Sequence, residues 1–188
     1  GTGGAGGALT LSAGKGTNAG NVGGSVELTS GKSGSASSGE MLLTTSDGGT
    51  LSGLITLSTG EASSGNSGAL YIGSGEASVG RSGSIKMTVG DSNSGSGGEI
   101  EISAGNTNTD NSGDGKTGGK VTITSGKSSE TSSGEIAIAT PNGGSTGGIS
   151  GFVSMTTGKS TLGNSGLILL STGQSVDGNS GLLSLSSG

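Results

Sequence analysis

The segment Asp110-Asn111-Ser112-Gly113-Asp114-Gly115-Lys116 sets oxygen-bearing side chains at alternate positions ahead of a glycine. That spacing opens a calcium-binding loop, with Asp110, Ser112 and Asp114 as the candidate ligands. Such a loop closes on a bidentate Glu at its twelfth position, where this chain has Val121. A solvated surface loop is therefore expected, and no metal. Gly31-Lys32-Ser33, Gly126-Lys127-Ser128 and Gly158-Lys159-Ser160 spell the end of a phosphate-binding loop. Each leads into turn residues rather than a helix, so no helix N-terminus is there to hold an anion. Glu99 and Glu101 lie two residues apart on one face of an extended segment, which suits a solvated face better than an acid–base pair. The chain has neither His nor Cys, so the commonest general base, the commonest metal ligand and the thiolate nucleophile are all missing. No catalytic residue and no cofactor is expected.

The elements that would position these groups come from a repeat. A unit of the form Ser-Gly-x-φ-x-φ-x-x-Gly, with φ aliphatic, recurs twelve times in 188 residues. Its φ pairs are Leu9/Leu11, Val26/Leu28, Met41/Leu43, Ile55/Leu57, Leu70/Ile72, Ile85/Met87, Ile100/Ile102, Val121/Ile123, Ile136/Ile138, Val153/Met155, Ile168/Leu170 and Leu183/Leu185. Seven of the eleven steps between units are 15 residues, and the others are 14, 17, 17 and 21. Every departure falls in a connector. Disorder has no reason to keep aliphatic residues at paired sites in each unit, whereas a short-period repeat architecture does.

Alternation of aliphatic and polar residues between glycines reads as a short strand with one buried face. The expected fold is all-β: a parallel β-solenoid, or β-helix, of about twelve repeats of ~15 residues, with no helix. The twenty-four φ residues would form a thin aliphatic core ladder along strands about 4.8 Å apart. One repeat per coil is preferred to two, giving a rod of roughly 55–60 Å. Small residues two places after a closing glycine (Ala62, Ala77, Ser92, Ser128, Ser160, Ser175) would let the return segment approach closely. Residues 1–188 form a single repeat array, and neither end departs from the pattern. An internal segment of a longer repeat protein is expected.

A net charge of −5 with singly dispersed charges, and only Tyr71 and Phe152 as aromatics, argues against nucleic-acid binding. No apolar stretch is long enough to span a bilayer. The outward face carries Ser/Thr pairs in five units: Thr10/Ser12, Thr56/Ser58, Thr122/Thr124, Ser154/Thr156 and Ser184/Ser186. Such ladders resemble the ice-binding surfaces of antifreeze solenoids, here interrupted by Glu27, Leu42, Tyr71, Lys86, Glu101, Ala137 and Leu169. Leu54, Phe152, Leu167, Leu169 and Leu182 share the outward parity and form a candidate assembly surface.

The cadence of Gly163-Asn164-Ser165-Gly166-Leu167-Ile168-Leu169-Leu170-Ser171-Thr172-Gly173, and of Ser133-Gly134-Glu135-Ile136-Ala137-Ile138-Ala139-Thr140, resembles the Gly/Ser-rich tandem repeats of secreted wall, adhesive and fibre proteins of diatoms and related algae. The resemblance implies an extracellular or cell-surface location and a structural role, and it transfers no functional residue. The expected function is a non-enzymatic component of an extracellular fibre, matrix or adhesive filament, built by stacking of solenoid coils. Self-association, end to end or lateral, is the expected partnership, with matrix polysaccharide as a further candidate partner. The alternative is an ice- or glycan-binding solenoid that uses the Ser/Thr face.

Overall fold

The computed structural model describes residues 4–108 and 117–187, in two compact units, Gly1–Thr88 and Val89–Gly188. Among the described residues there is no helix and no strand. The expected all-β parallel β-solenoid is therefore corrected: the φ-x-φ segments are extended, but no sheet joins them and no coil is formed. Six backbone–backbone hydrogen bonds link the described residues, all of them in turns and connectors. Folded chains make about one per residue.

The core ladder is corrected with the sheet, because every one of its twenty-four residues is exposed. Among the first φ residues, Leu9 is 87% exposed. Val26, Met41, Ile55, Leu70, Ile85, Ile100, Val121, Ile136, Val153, Ile168 and Leu183 are 45–58% exposed. The second φ residues are more open still. Leu11, Leu28, Leu43, Leu57, Ile72, Met87, Ile102, Ile123, Ile138, Met155 and Leu170 are 54–72% exposed, and Leu185 is 84% exposed. Burial at these sites requires a neighbouring segment hydrogen-bonded on either side and a layer packed across the φ face, and neither is present.

The physical reason lies in the repeat's composition. Two aliphatic side chains must offset the ordering of some fifteen backbone residues, several of them glycines, which lose the most freedom. With only one Tyr and one Phe in the chain, no large side chain adds to that burial. No described hydrophobic residue is buried in either unit. The aliphatic ladder is present as a pattern of positions without an interior behind it.

The alternation itself persists. Apolar residues of the opposite parity in the same segments, from Leu42 to Leu182, are 75–92% exposed. Side chains of an extended chain point alternately to either side, and the φ side is the more sheltered one in both units. On the other side, the Thr29 hydroxyl donates to Glu27 Oε1 at 3.2 Å, a contact between residues two apart on a common face.

What orders each repeat is its connector. The residue two places after the second φ meets the glycine two places before the next first φ. This holds at all eleven junctions: Ala13/Gly24, Ser30/Gly39, Thr45/Gly53, Thr59/Gly68, Ser74/Gly83, Val89/Gly98, Ala104/Gly119, Ser125/Gly134, Thr140/Gly151, Thr157/Gly166 and Thr172/Gly181. A β-carbon placed on any of these glycines would lie 2.7–3.5 Å from its partner's side chain. The first residue is always small or β-branched and the second always lacks a side chain, so each connector closes into a loop with a narrow neck.

Four necks are sealed by a backbone bond. The amides of Gly24, Gly39, Gly119 and Gly134 donate to the carbonyls of Gly14, Gly31, Gly105 and Gly126 at 2.8–2.9 Å. All four have Ala or Ser at the neck. None of the six Thr and Val necks makes such a bond, and neither does the Ser74 neck. At Thr140 the hydroxyl substitutes, donating to the Gly151 carbonyl at 3.0 Å.

Candidate functional site

Beyond six of the necks the connector turns in one of two ways. In the first, a serine two places after the closing glycine accepts from the amide three residues on: Ser33 from Ala36, Ser128 from Thr131, Ser160 from Gly163 and Ser175 from Gly178, at 2.9–3.1 Å. Ser128 also accepts from the Glu130 amide at 3.2 Å and lies 3.0 Å from the Thr131 hydroxyl. In the second, that position is Ala62 or Ala77, and the turn is made by Gly65 (φ 108°) or Gly80 (φ 110°) in the left-handed region. Ser92 stands between the two, bonding only to Ser94, and its connector uses Gly95 at φ 78°. These small residues were expected to permit close approach. The serines instead act as hydroxyl acceptors that replace a positive-φ glycine.

The Gly-Lys-Ser triplets are explained in the same way. The hydroxyls of Ser33, Ser128 and Ser160 face connector amides, and no helix follows any of them. Ser128 and Ser160 stand among the small residues picked out by spacing, whereas Ser33 does not. Its place two residues after Gly31 was the available signal.

The candidate metal ligands Asp110, Ser112 and Asp114 lie outside the described residues. Among the described residues no cluster of acidic side chains is arranged to hold an ion, and there is no cavity. Glu99 and Glu101 are exposed, as are the outward Ser/Thr pairs, which no sheet holds in a plane. No helix of the described residues is long and apolar enough to cross a membrane.

The surface left to consider is apolar. The φ face of each unit is continuous with its necks, since Gly, φ, φ and the neck residue share one parity. The candidate assembly residues Leu54 (in the first unit) and Phe152, Leu167, Leu169 and Leu182 (in the second) are 76–88% exposed. The whole chain exposes 18674 Å². A compact monomer of 17.3 kDa exposes about 7,800 Å², and its fully unfolded chain about 25,000 Å².

These features define a class: a short-period repeat chain with locally closed connectors and an exposed, periodic aliphatic face. No family model, curated protein or solved structure matches the chain.

Proposed function

We propose that this chain is a non-enzymatic structural protein, a self-associating component of an extracellular fibre, matrix or adhesive filament. One observation carries the reading. Aliphatic residues occupy both φ sites of every repeat, yet none of these is buried within the chain. The exposed area exceeds that of a compact monomer by about 11,000 Å². A stable protein–protein interface buries about 1,600 Å² in total, so the surplus is ample for contacts on several sides.

A second copy is the natural cover for such a face. It carries aliphatic pairs at the same intervals, so contacts made at one repeat recur at the next, and small contributions add along the array. The secreted-protein resemblance supports the extracellular setting, and dense Ser and Gly suit a hydrated matrix, where polysaccharide is a further partner.

The test is sedimentation velocity and electron microscopy across a concentration series. Growing species and filaments are expected from the parent chain. Ile100→Ser, Ile102→Ser, Ile136→Ser and Ile138→Ser together are expected to suppress both. A chain that stays monomeric up to about millimolar concentration, where even weak contacts are populated, overturns the reading.

A further inference from the structure

Residues 166–172 run from the glycine of one neck, Gly166, to the neck residue of the next, Thr172. Within them, Leu167, Ile168, Leu169 and Leu170 are the chain's one run of four large aliphatic residues. Side chains of an extended segment alternate, so two of the four lie on each face, and all four are exposed. The backbone is equally open. Among the described residues, no N–H or C=O group of residues 167–172 enters a backbone hydrogen bond within the chain.

From these features we infer that residues 166–172 pair, backbone to backbone, with the same residues of a second copy. The inference rests on the self-associating role proposed above and names the segment and the bonds that carry it. The pairing lies between copies; within one copy the segment is extended and unbonded. Along such a segment, donors and acceptors recur at about 3.3 Å per residue, and another extended backbone is the partner that matches them at that pitch. Leucine and isoleucine on both faces keep water from the bonds so formed, which strengthens them.

A second copy is the occupant because the stretch is complementary to itself. No charged residue lies between Lys159 and Asp177, so two copies laid side by side meet no like charges here, whichever way they run. Elsewhere Glu27, Lys86, Glu101, Lys120 and Glu135 stand beside the φ pairs and would face their own counterparts about 4.8 Å away. Charges so placed guard those segments against pairing. In the remaining uncharged repeats the face opposite the φ pair carries at most one large apolar side chain, as at Leu54 and Phe152. An extended segment also has bonding groups along two edges. A pair therefore keeps an outer edge for a third copy, and growth does not stop at a dimer.

Amide hydrogen exchange of the whole 188-residue chain, read residue by residue below and above the concentration at which it associates, tests the pairing. Exchange at residues 167–172 is expected to slow about a hundredfold on association, and more than around Glu99 and Glu101. Two variants isolate the backbone: Leu169→Ser and Leu169→Pro both lose the leucine side chain, and the second also loses the N–H. Leu169→Pro is expected to raise the concentration for half-association about tenfold beyond the effect of Leu169→Ser, read by sedimentation. Association of the parent without slowed exchange at residues 167–172, or equal shifts from the two variants, overturns the pairing and leaves self-association standing. A parent chain that stays monomeric overturns both.

Discussion

Val89 and Gly98 meet so closely that a β-carbon on the glycine would lie 2.7 Å from Val89 Cγ1. The two residues enclose one whole connector, and the same contact recurs at every junction. The neck, rather than a sheet, is what the repeat builds reliably.

Gly119→Ala should open a neck. Its added methyl would lie 3.1 Å from both the Ala104 β-carbon and the Gly105 amide nitrogen, against backbone that cannot swing aside. The bond from the Gly119 amide to the Gly105 carbonyl is expected to be lost, at about 1 kcal/mol. Amide exchange at residue 119 read by NMR should accelerate about fivefold. An unchanged rate would mean the neck does not exist in solution.

Thr157→Ser should do the reverse. Removing the γ-methyl, which now lies 3.3 Å from a β-carbon position on Gly166, frees space for the backbone bond made at the Ala and Ser necks. The Gly166 amide is expected to become more protected, by a few-fold, and its temperature coefficient to fall. Ser74 gives reason for the modest figure, because its neck makes no backbone bond despite the small side chain.

Ser128→Ala removes the acceptor for the amides of Glu130 and Thr131. A loss of about 0.5–2 kcal/mol in local order is expected, as at a helix N-cap with the same geometry of hydroxyl to amide. Thr131→Gly in the same chain is expected to recover part of it, since connectors with Ala62 and Ala77 turn through Gly65 and Gly80. Backbone chemical shifts of residues 126–134 report both steps.

Phe152→Ser combined with Leu167→Ser removes two exposed apolar side chains of the second unit. Association is expected to weaken, with a right shift of the sedimentation isotherm by about tenfold, the scale of burying two apolar side chains in part. No shift would confine assembly to the paired aliphatic face.

Much of this organisation is legible in the residues. The fifteen-residue beat, the confinement of length changes to connectors and the sheltered parity of Val26, Leu28 and their counterparts all follow from spacing. The sheet did not follow. Alternation specifies which way side chains such as Leu57 and Ile123 point but not that neighbouring segments pair. Two aliphatics per repeat do not hold a glycine-rich backbone in a ladder. The division of labour among connectors was hidden for a different reason. Ser128 and Ala77 look alike as small residues, and only the hydrogen bond made by one and the positive φ of Gly80 beyond the other tell them apart. The glycine ahead of each φ pair announced itself by recurrence, while its partner varied among Ala, Ser, Thr and Val, which conceals a shared place in space.

Because a connector leaves and re-enters through the same pinch point, its contour length is free to drift without opening that point. Seven residues lie between Gly31 and Gly39 and thirteen between Gly105 and Gly119, yet the same neck contact closes both connectors. Lengthening such an excursion costs only slowly growing closure entropy. The chain is thus a natural host for grafted peptides, with each excursion a separate docking port for foreign sequence.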